Sequence, residues 1–441
     1  MEHIPTPCDI LVTASIVVSQ NETRQILRDA ALAITDGRIT AIGPASELRQ
    51  QVSPARTIDL ANAMVLPGLV NTHGHAAMTL FRGLCDDAPL SVWLNDHIWP
   101  AESKLTPKAV RLGTQLACAE MLASGTTCYL DAYLFAGTIA TAVEEAGLRA
   151  IICQGVFDHG NDRFKAADKA LRTATALADR LAGHPRLRTA IFPHAVYTCS
   201  TPTLLRCAAL ARERGVLLST HAAETAKENA DCQTANGQRV IPYLERIGLL
   251  GPTTLLAHVV DINDEEQNIL ARTGTKVAHC PKSNMKLASG IAPIQAMRTA
   301  GVTVGLGTDG AASNNALNLF AEMSVAALLQ KVATGDPTAL HAQAVLDMAT
   351  RDGAAAIGWP ELGQLTVGGP ADLCALDLTR PGLCPPFDPV SHAVYAASGG
   401  EVRLTMVGGR VLYKDGAFPE MDYPGLRAAF LEAASELTGK A

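Results

Sequence analysis

Gly68-Leu69-Val70-Asn71-Thr72-His73-Gly74-His75 is the stretch whose reading decides the fold. Residues two apart on a strand share a side, so His73 and His75 aim two imidazoles at one point beyond the strand's end. Such a pair suits a divalent metal such as zinc. The lead-in Met64-Val65-Leu66-Pro67-Gly68-Leu69-Val70 is mostly apolar, as expected of a buried parallel strand. An isolated HxH pair reads equally as two histidines in a polar loop, so the remaining chain must decide between them.

After this strand, apolar runs alternate with helical segments. The runs are 127–131, 149–154, 188–194, 216–221, 254–258, 276–279 and 302–309. Segments rich in Ala and Leu separate them, such as 107–124, 165–182 and 202–214. Eight strands with helices between them indicate an α/β fold, a (β/α)8 TIM-like barrel. Before the barrel, residues 8 to 65 read as short strands. Asp36-Gly37 marks a hairpin, and Ala45 to Gln51 is the one stretch with helical period before about residue 100. Strand-like runs return at 371–376, 402–407 and 410–413, followed by a surface helix over 423–437. Both chain ends are therefore expected to build one small β-sandwich domain, residues 1–66 with 365–441, around a barrel of residues 67–364.

Composition narrows the function. Across 441 residues, 48% are hydrophobic and 18% charged, which permits a large core and argues against disorder. Forty-three acidic against 36 basic residues give a net charge of −7, with no long basic run, so binding to nucleic acid is not expected. Eleven cysteines sit singly without a CxxC pair, which fits buried thiols in a reducing compartment. The N-terminus lacks a basic stretch followed by an apolar core, and no apolar run is long enough to cross a bilayer. A soluble cytoplasmic protein, away from membranes, is expected.

The strands end in residues that bind metals or move protons: His73 and His75, Asp131, His194, His221, His258, His279 and Asp309. In a barrel all of these ends face one mouth, where this architecture places its chemistry. One strand-ending histidine is unremarkable packing, but six of the chain's 12 histidines are not. His73, His75, His221 and Asp309 would form a three-nitrogen, one-oxygen metal site with room for water, whose pKa a bound zinc lowers towards about 7. Glu224, three residues beyond His221, reaches the same mouth and suits a proton shuttle. A second ion would need a bridging anion such as a carboxylated lysine at a middle strand end; His194 stands there, so one metal is expected. Gly305-Leu306-Gly307-Thr308-Asp309-Gly310 matches a dinucleotide fingerprint, but at the last strand instead of the first.

With these residues in place, the chain resembles the amidohydrolase superfamily and, within it, the 5-methylthioadenosine/S-adenosylhomocysteine deaminases. The resemblance rests on the opening stretch, Pro193-His194-Ala195-Val196-Tyr197-Thr198, His221-Ala222-Ala223-Glu224-Thr225 and residues 307–315. It implies one Zn2+ per subunit on His73, His75, His221 and Asp309, with ferrous iron as the alternative. It also implies that Glu224 protonates the purine ring nitrogen, while His258 and Asp309 orient or deprotonate the attacking water. Trp93 and Glu102 resemble the family's substrate loop, with the carboxylate on the ribose hydroxyls and the indole on the nucleoside. His194 resembles a substrate ligand. Some members carry two arginines after the third strand, suited to a homocysteine carboxylate. Here Gln154 stands at one position and only Arg163 is available for the other, so 5′-methylthioadenosine is expected over S-adenosylhomocysteine. The expected partners are thus a small nucleoside and further copies of the chain in a homo-oligomer. Hydrolysis of guanine or a triazine ring is the competing enzyme reading, and a barrel without activity is the non-enzyme one.

Overall fold

The computed structural model describes residues 5–159 and 165–439. Eight parallel strands run Leu69–His75, Thr126–Tyr133, Arg149–Val156, Leu187–Pro193, Leu217–Ala222, Thr254–His258, Lys276–His279 and Val304–Leu306. The last of them resumes as Asp309–Gly310, which pairs in parallel with Gly74 and His75 of the first and shuts the cylinder. The expected barrel is present. The run expected over 302–309 is interrupted at Gly307-Thr308 because that strand must swing from its seventh-strand partner to its first-strand partner.

An apolar cluster inside the barrel joins Val70, Leu130, Cys153, Phe192, Leu255 and Ala278 to Ile357 and Trp359. Arg188, near the start of its strand, lies 3.8 Å over the Trp359 ring, so this plug fills the N-terminal end and leaves the strands' C-terminal ends as the mouth. The surrounding helices begin at sequence-encoded caps. Thr106 accepts the Ala109 N–H to start Pro107–Ala123, and Asn263 with Glu266 forms a capping box before Asp264–Thr273.

The two chain ends form a second sheet of seven strands, in the order Arg410–Lys414, Val402–Val407, Leu373–Asp377, Val52–Pro67, Thr6–Val18, Ile26–Thr35 and Arg38–Pro44. The expected hairpin turns at Asp36 and Gly37, both at positive φ (51° and 71°), which matches the twist of the flanking strands. A β-carbon on Gly37 would lie 2.6 Å from the Gly408 carbonyl oxygen, so no larger residue fits there. Arg149 on the third barrel strand ties the two sheets together through a two-point bond to Asp372, at 2.6 and 3.1 Å. The terminal helix Tyr423–Thr438 buries Leu426, Phe430, Ala433 and Leu437 on one stripe, as its sequence indicates.

One region departs from the sequence reading. Residues 90–102, expected to lack helical period, form three consecutive helical turns: Leu90–Val92, a wider turn over Trp93–Ile98, and Trp99–Glu102. Pro89 and Pro100 interrupt the pattern in the sequence, yet each sits at or before the first positions of a turn, where proline is tolerated. These turns stand over the barrel mouth. No helix among the described residues is long and apolar enough to cross a membrane.

Candidate active site

His73 and His75 arrive from the first strand, His221 from the fifth, His258 from the sixth and Asp309 from the eighth. Ala223, His258 and Asp309 have φ of 51°, 74° and 60°, so the chain turns sharply where its functional side chains project. Non-glycine residues adopt that region rarely and do so disproportionately at active sites.

The four expected metal ligands form one tight group. Nε2 of His221 is 3.2 Å from Nε2 of His73, and Asp309 Oδ1 lies 3.1 Å from His75 Nε2 and 3.6 Å from His73 Nε2. Four donors held tetrahedrally about 2.1 Å from a small divalent cation would stand about 3.4 Å apart, so the spacing fits one ion. His258 completes a second grouping with His73 and Asp309. Nδ1 of His75 lies 2.6 Å from the Ala132 carbonyl oxygen, which fixes the proton on Nδ1 and leaves Nε2 a lone pair for the site. Ser283 and Ser313 donate to Asp309 Oδ2 at 2.6 and 2.8 Å, turning Oδ1 towards the imidazoles.

The electrostatics favour the binding forms of His73, His221 and Asp309, whereas His75 is raised because Asp309 outweighs its burial. Burial lowers His73 to about 4 and His221 well below the ordinary histidine value, so both rings are neutral, as metal ligands must be. Burial alone would raise Asp309, but the adjoining imidazoles of His73 and His75 outweigh it and hold the carboxylate well below its ordinary value. His258 shows the reverse balance: burial opposes its charge, while Glu224 and Asp309 outweigh burial and raise it. Burial raises Glu224, which His258 partly offsets. Glu224 Oε2 and His258 Nε2 are 3.9 Å apart, both almost fully buried.

The pocket above this group holds the remaining sequence candidates. Trp93, Glu102 and His194 line it with His75, His221, Glu224, His258 and Asp309, beneath Leu90, Leu94, Ile98 and Trp99 of the helical turns. The indole N–H of Trp93 is buried with no acceptor among the described residues. Glu102 accepts from the Tyr133 hydroxyl at 2.7 Å. His194, lowered to about 3 by burial and then by neighbouring histidines, bonds Thr198 Oγ1 through Nδ1 at 2.9 Å. Arg163 lies outside the described residues. Asp131 and His279, which also end strands, do not line the pocket. Asp131 instead accepts the Ala76 N–H at 2.6 Å and steadies the turn after His75.

Sequence reasoning missed Ser283, Asn284, Ser313 and Glu228. Glu228 accepts the Glu224 N–H at 2.7 Å, and its place three residues after the Thr225 cap was a readable signal. Asn284 bonds His258 Nδ1 at 2.9 Å. Nothing in a short Cys280-Pro281-Lys282-Ser283-Asn284 run announces that two of its side chains turn back into the barrel.

A closed parallel barrel whose mouth gathers three imidazoles, a carboxylate and a buried His–Glu pair defines a class, the (β/α)8 hydrolases built around a divalent cation. Within that class the chain belongs to the amidohydrolase family, whose model matches residues 64–412. A shorter match, residues 30–51, is to the imidazolonepropionase-like composite domain of bacteria. The chain is 51% identical to a 5-methylthioadenosine/S-adenosylhomocysteine deaminase of Nitratidesulfovibrio vulgaris over 96% of both chains. It is 43% identical to a 5′-deoxyadenosine deaminase of Methanothermobacter thermautotrophicus, covering 94% of this chain and 96% of that one. Among solved structures, an adenosine deaminase from Xanthomonas campestris with bound zinc superposes with a TM-score of 0.97 at 37% identity, over 99% of this chain and 100% of the other. A zinc-complexed atrazine chlorohydrolase from Arthrobacter aurescens gives 0.89 at 26%, over 96% and 100%.

Proposed function

We propose that the protein hydrolytically deaminates an adenosine-type nucleoside, with 5′-methylthioadenosine preferred, to the inosine analogue and ammonia. The observation that carries this reading is the placing of Glu224 and His258, 3.9 Å apart, beside the cluster of His73, His75, His221 and Asp309. The relatives named as deaminases of methylthioadenosine and deoxyadenosine support the substrate class. Zinc is the proposed ion, in keeping with the donor set and with the zinc-bound neighbours. When bound, it would acidify a water at the site to near-neutral pKa.

The chain's own groups then divide the work. His258, with Asp309, takes the proton of the attacking water. Glu224, kept protonated more readily by its burial, gives its proton to the purine ring nitrogen as water adds to the amino-bearing carbon. His258 then passes its proton to the amino group, Glu224 recovers one from the new hydroxyl, and ammonia leaves as the carbonyl forms. Trp93 and the leucines of the helical turns cover the purine and exclude water, Glu102 accepts from the ribose hydroxyls, and His194 contacts the nucleoside.

Two features favour the neutral methylthio group over a homocysteine tail. No lysine or arginine lines the inner pocket among the described residues, and Lys227 and Lys286 stand only in the cavity that adjoins it. Gln154 is occupied with backbone, accepting the Ala136 N–H and donating to the Gly155 carbonyl, both at 3.2 Å. The eleven unpaired cysteines accord with a reducing, cytoplasmic setting. A screen of ammonia release tests the reading, with 5′-methylthioadenosine, S-adenosylhomocysteine, adenosine, guanine and a triazine. The highest kcat/KM is expected for 5′-methylthioadenosine; preference for S-adenosylhomocysteine would refute the specificity, and turnover of guanine or the triazine alone would refute the function.

A further inference from the structure

Asn284 belongs to the one-turn helix Pro281–Lys286, which follows the seventh barrel strand, and its side chain is almost fully buried. No role assigned above uses it. Its Oδ1 lies 2.9 Å from Nδ1 of His258. An amide oxygen only accepts, so Nδ1 carries a proton, and in the neutral ring the lone pair is left on Nε2. Nε2 is the nitrogen that looks into the site, 3.9 Å from Glu224.

The same residue also reaches the acid. Its main-chain carbonyl oxygen accepts the Ser289 N–H at 2.8 Å, and the Ser289 hydroxyl approaches Glu224 Oε1 at 3.5 Å. Its main-chain N–H donates to the Cys280 carbonyl oxygen at 3.0 Å, which fixes the backbone from which the carboxamide projects. His258 sits at φ 74°, a strained backbone conformation of the kind that gathers at active sites.

We propose that Asn284 is a positioning residue for deamination, holding His258 in the tautomer and orientation in which Nε2 accepts the proton of the attacking water. With the carboxamide turned over, its NH2 would donate to Nδ1, the ring proton would move to Nε2, and the base would be blocked. Asparagine can adopt either arrangement, whereas an ionised aspartate at this position can only accept. The two arrangements therefore predict opposite behaviour for Asn284→Asp.

The test uses the metal-loaded enzyme with 5′-methylthioadenosine and compares wild type, Asn284→Ala and Asn284→Asp. Asn284→Ala should lower kcat roughly 10–100-fold, the usual consequence of losing an outer partner of a site histidine, with KM within about threefold of wild type. Asn284→Asp should recover most of that loss, and all three proteins should carry the same metal content. The proposal is overturned if Asn284→Ala keeps kcat within about threefold of wild type. It is equally overturned if Asn284→Asp, folded and metal-loaded, is as impaired as the alanine variant; should the alanine variant not fold, Asn284→Asp decides alone. The inference rests on the deaminase reading: a wild type inactive on every adenosine analogue removes both. An active wild type with an unimpaired alanine variant removes only the role of Asn284.

Discussion

Replacing Glu224 by glutamine keeps the shape of the side chain and removes the proton that the proposed reaction needs. The structure sets the size of the effect. Glu224 is buried, and the other two acids lining the pocket are committed, Glu102 to Tyr133 and Asp309 to the histidines. No described pocket acid can stand in for it, so the loss should fall in the upper half of the 10²–10⁴-fold range typical of a general acid, about 4–5 kcal/mol of activation free energy. Glutamine can still face the ring nitrogen with a donor, so KM should move by less than about fivefold. Metal content should be unchanged, and the melting temperature unchanged or higher, because a buried carboxyl disappears. Initial rates of ammonia release, metal analysis and a thermal melt on one preparation give all three readings. A kcat within about tenfold of wild type, with metal retained, would refute the assignment of Glu224.

Other consequences concern stability. Glu322 is fully buried and accepts from Asn314 at 2.7 Å; burial lifts it to about 7, against the lowering effects of Asn314 and Lys282. A carboxyl whose folded pKa is raised destabilises the fold as pH climbs from its unfolded value near 4.5 through about 7. Urea unfolding should therefore show wild type losing about 3 kcal/mol between pH 4.5 and 8 relative to Glu322→Gln; parallel pH curves would contradict this. Asp372→Ala strands the buried Arg149 guanidinium and should cost about 3–5 kcal/mol in urea unfolding. Asp231→Ala breaks only an exposed pair with Lys227 and should cost under about 1 kcal/mol, so equal losses would show that burial does not govern these pairs.

Much of the site was readable because barrel strands carry a strong signal. Apolar runs that stop at a histidine or aspartate disclose both the strand and the direction of its open end, which is how His73, His75, His221, His258 and Asp309 could be grouped before any coordinates. What escaped was the part set by tertiary contact. Ser283 and Asn284 lie on a single helical turn too short for a periodic pattern, and their partners are 26 residues away in sequence. The turns over 90–102 were hidden by prolines at their starts. His279 looks identical to His258 in sequence, yet it is buried away from the pocket with neither ring nitrogen bonded among the described residues. Strand position alone does not say which way the last side chain faces.

The central claim is that His73, His75, His221 and Asp309 hold a single cation. Elemental analysis of the purified chain beside its Asp309→Ala variant tests it most directly. One divalent ion per wild-type chain, largely lost from the variant, is the predicted result. Two ions per chain, or a variant that binds metal as fully as wild type, would contradict it.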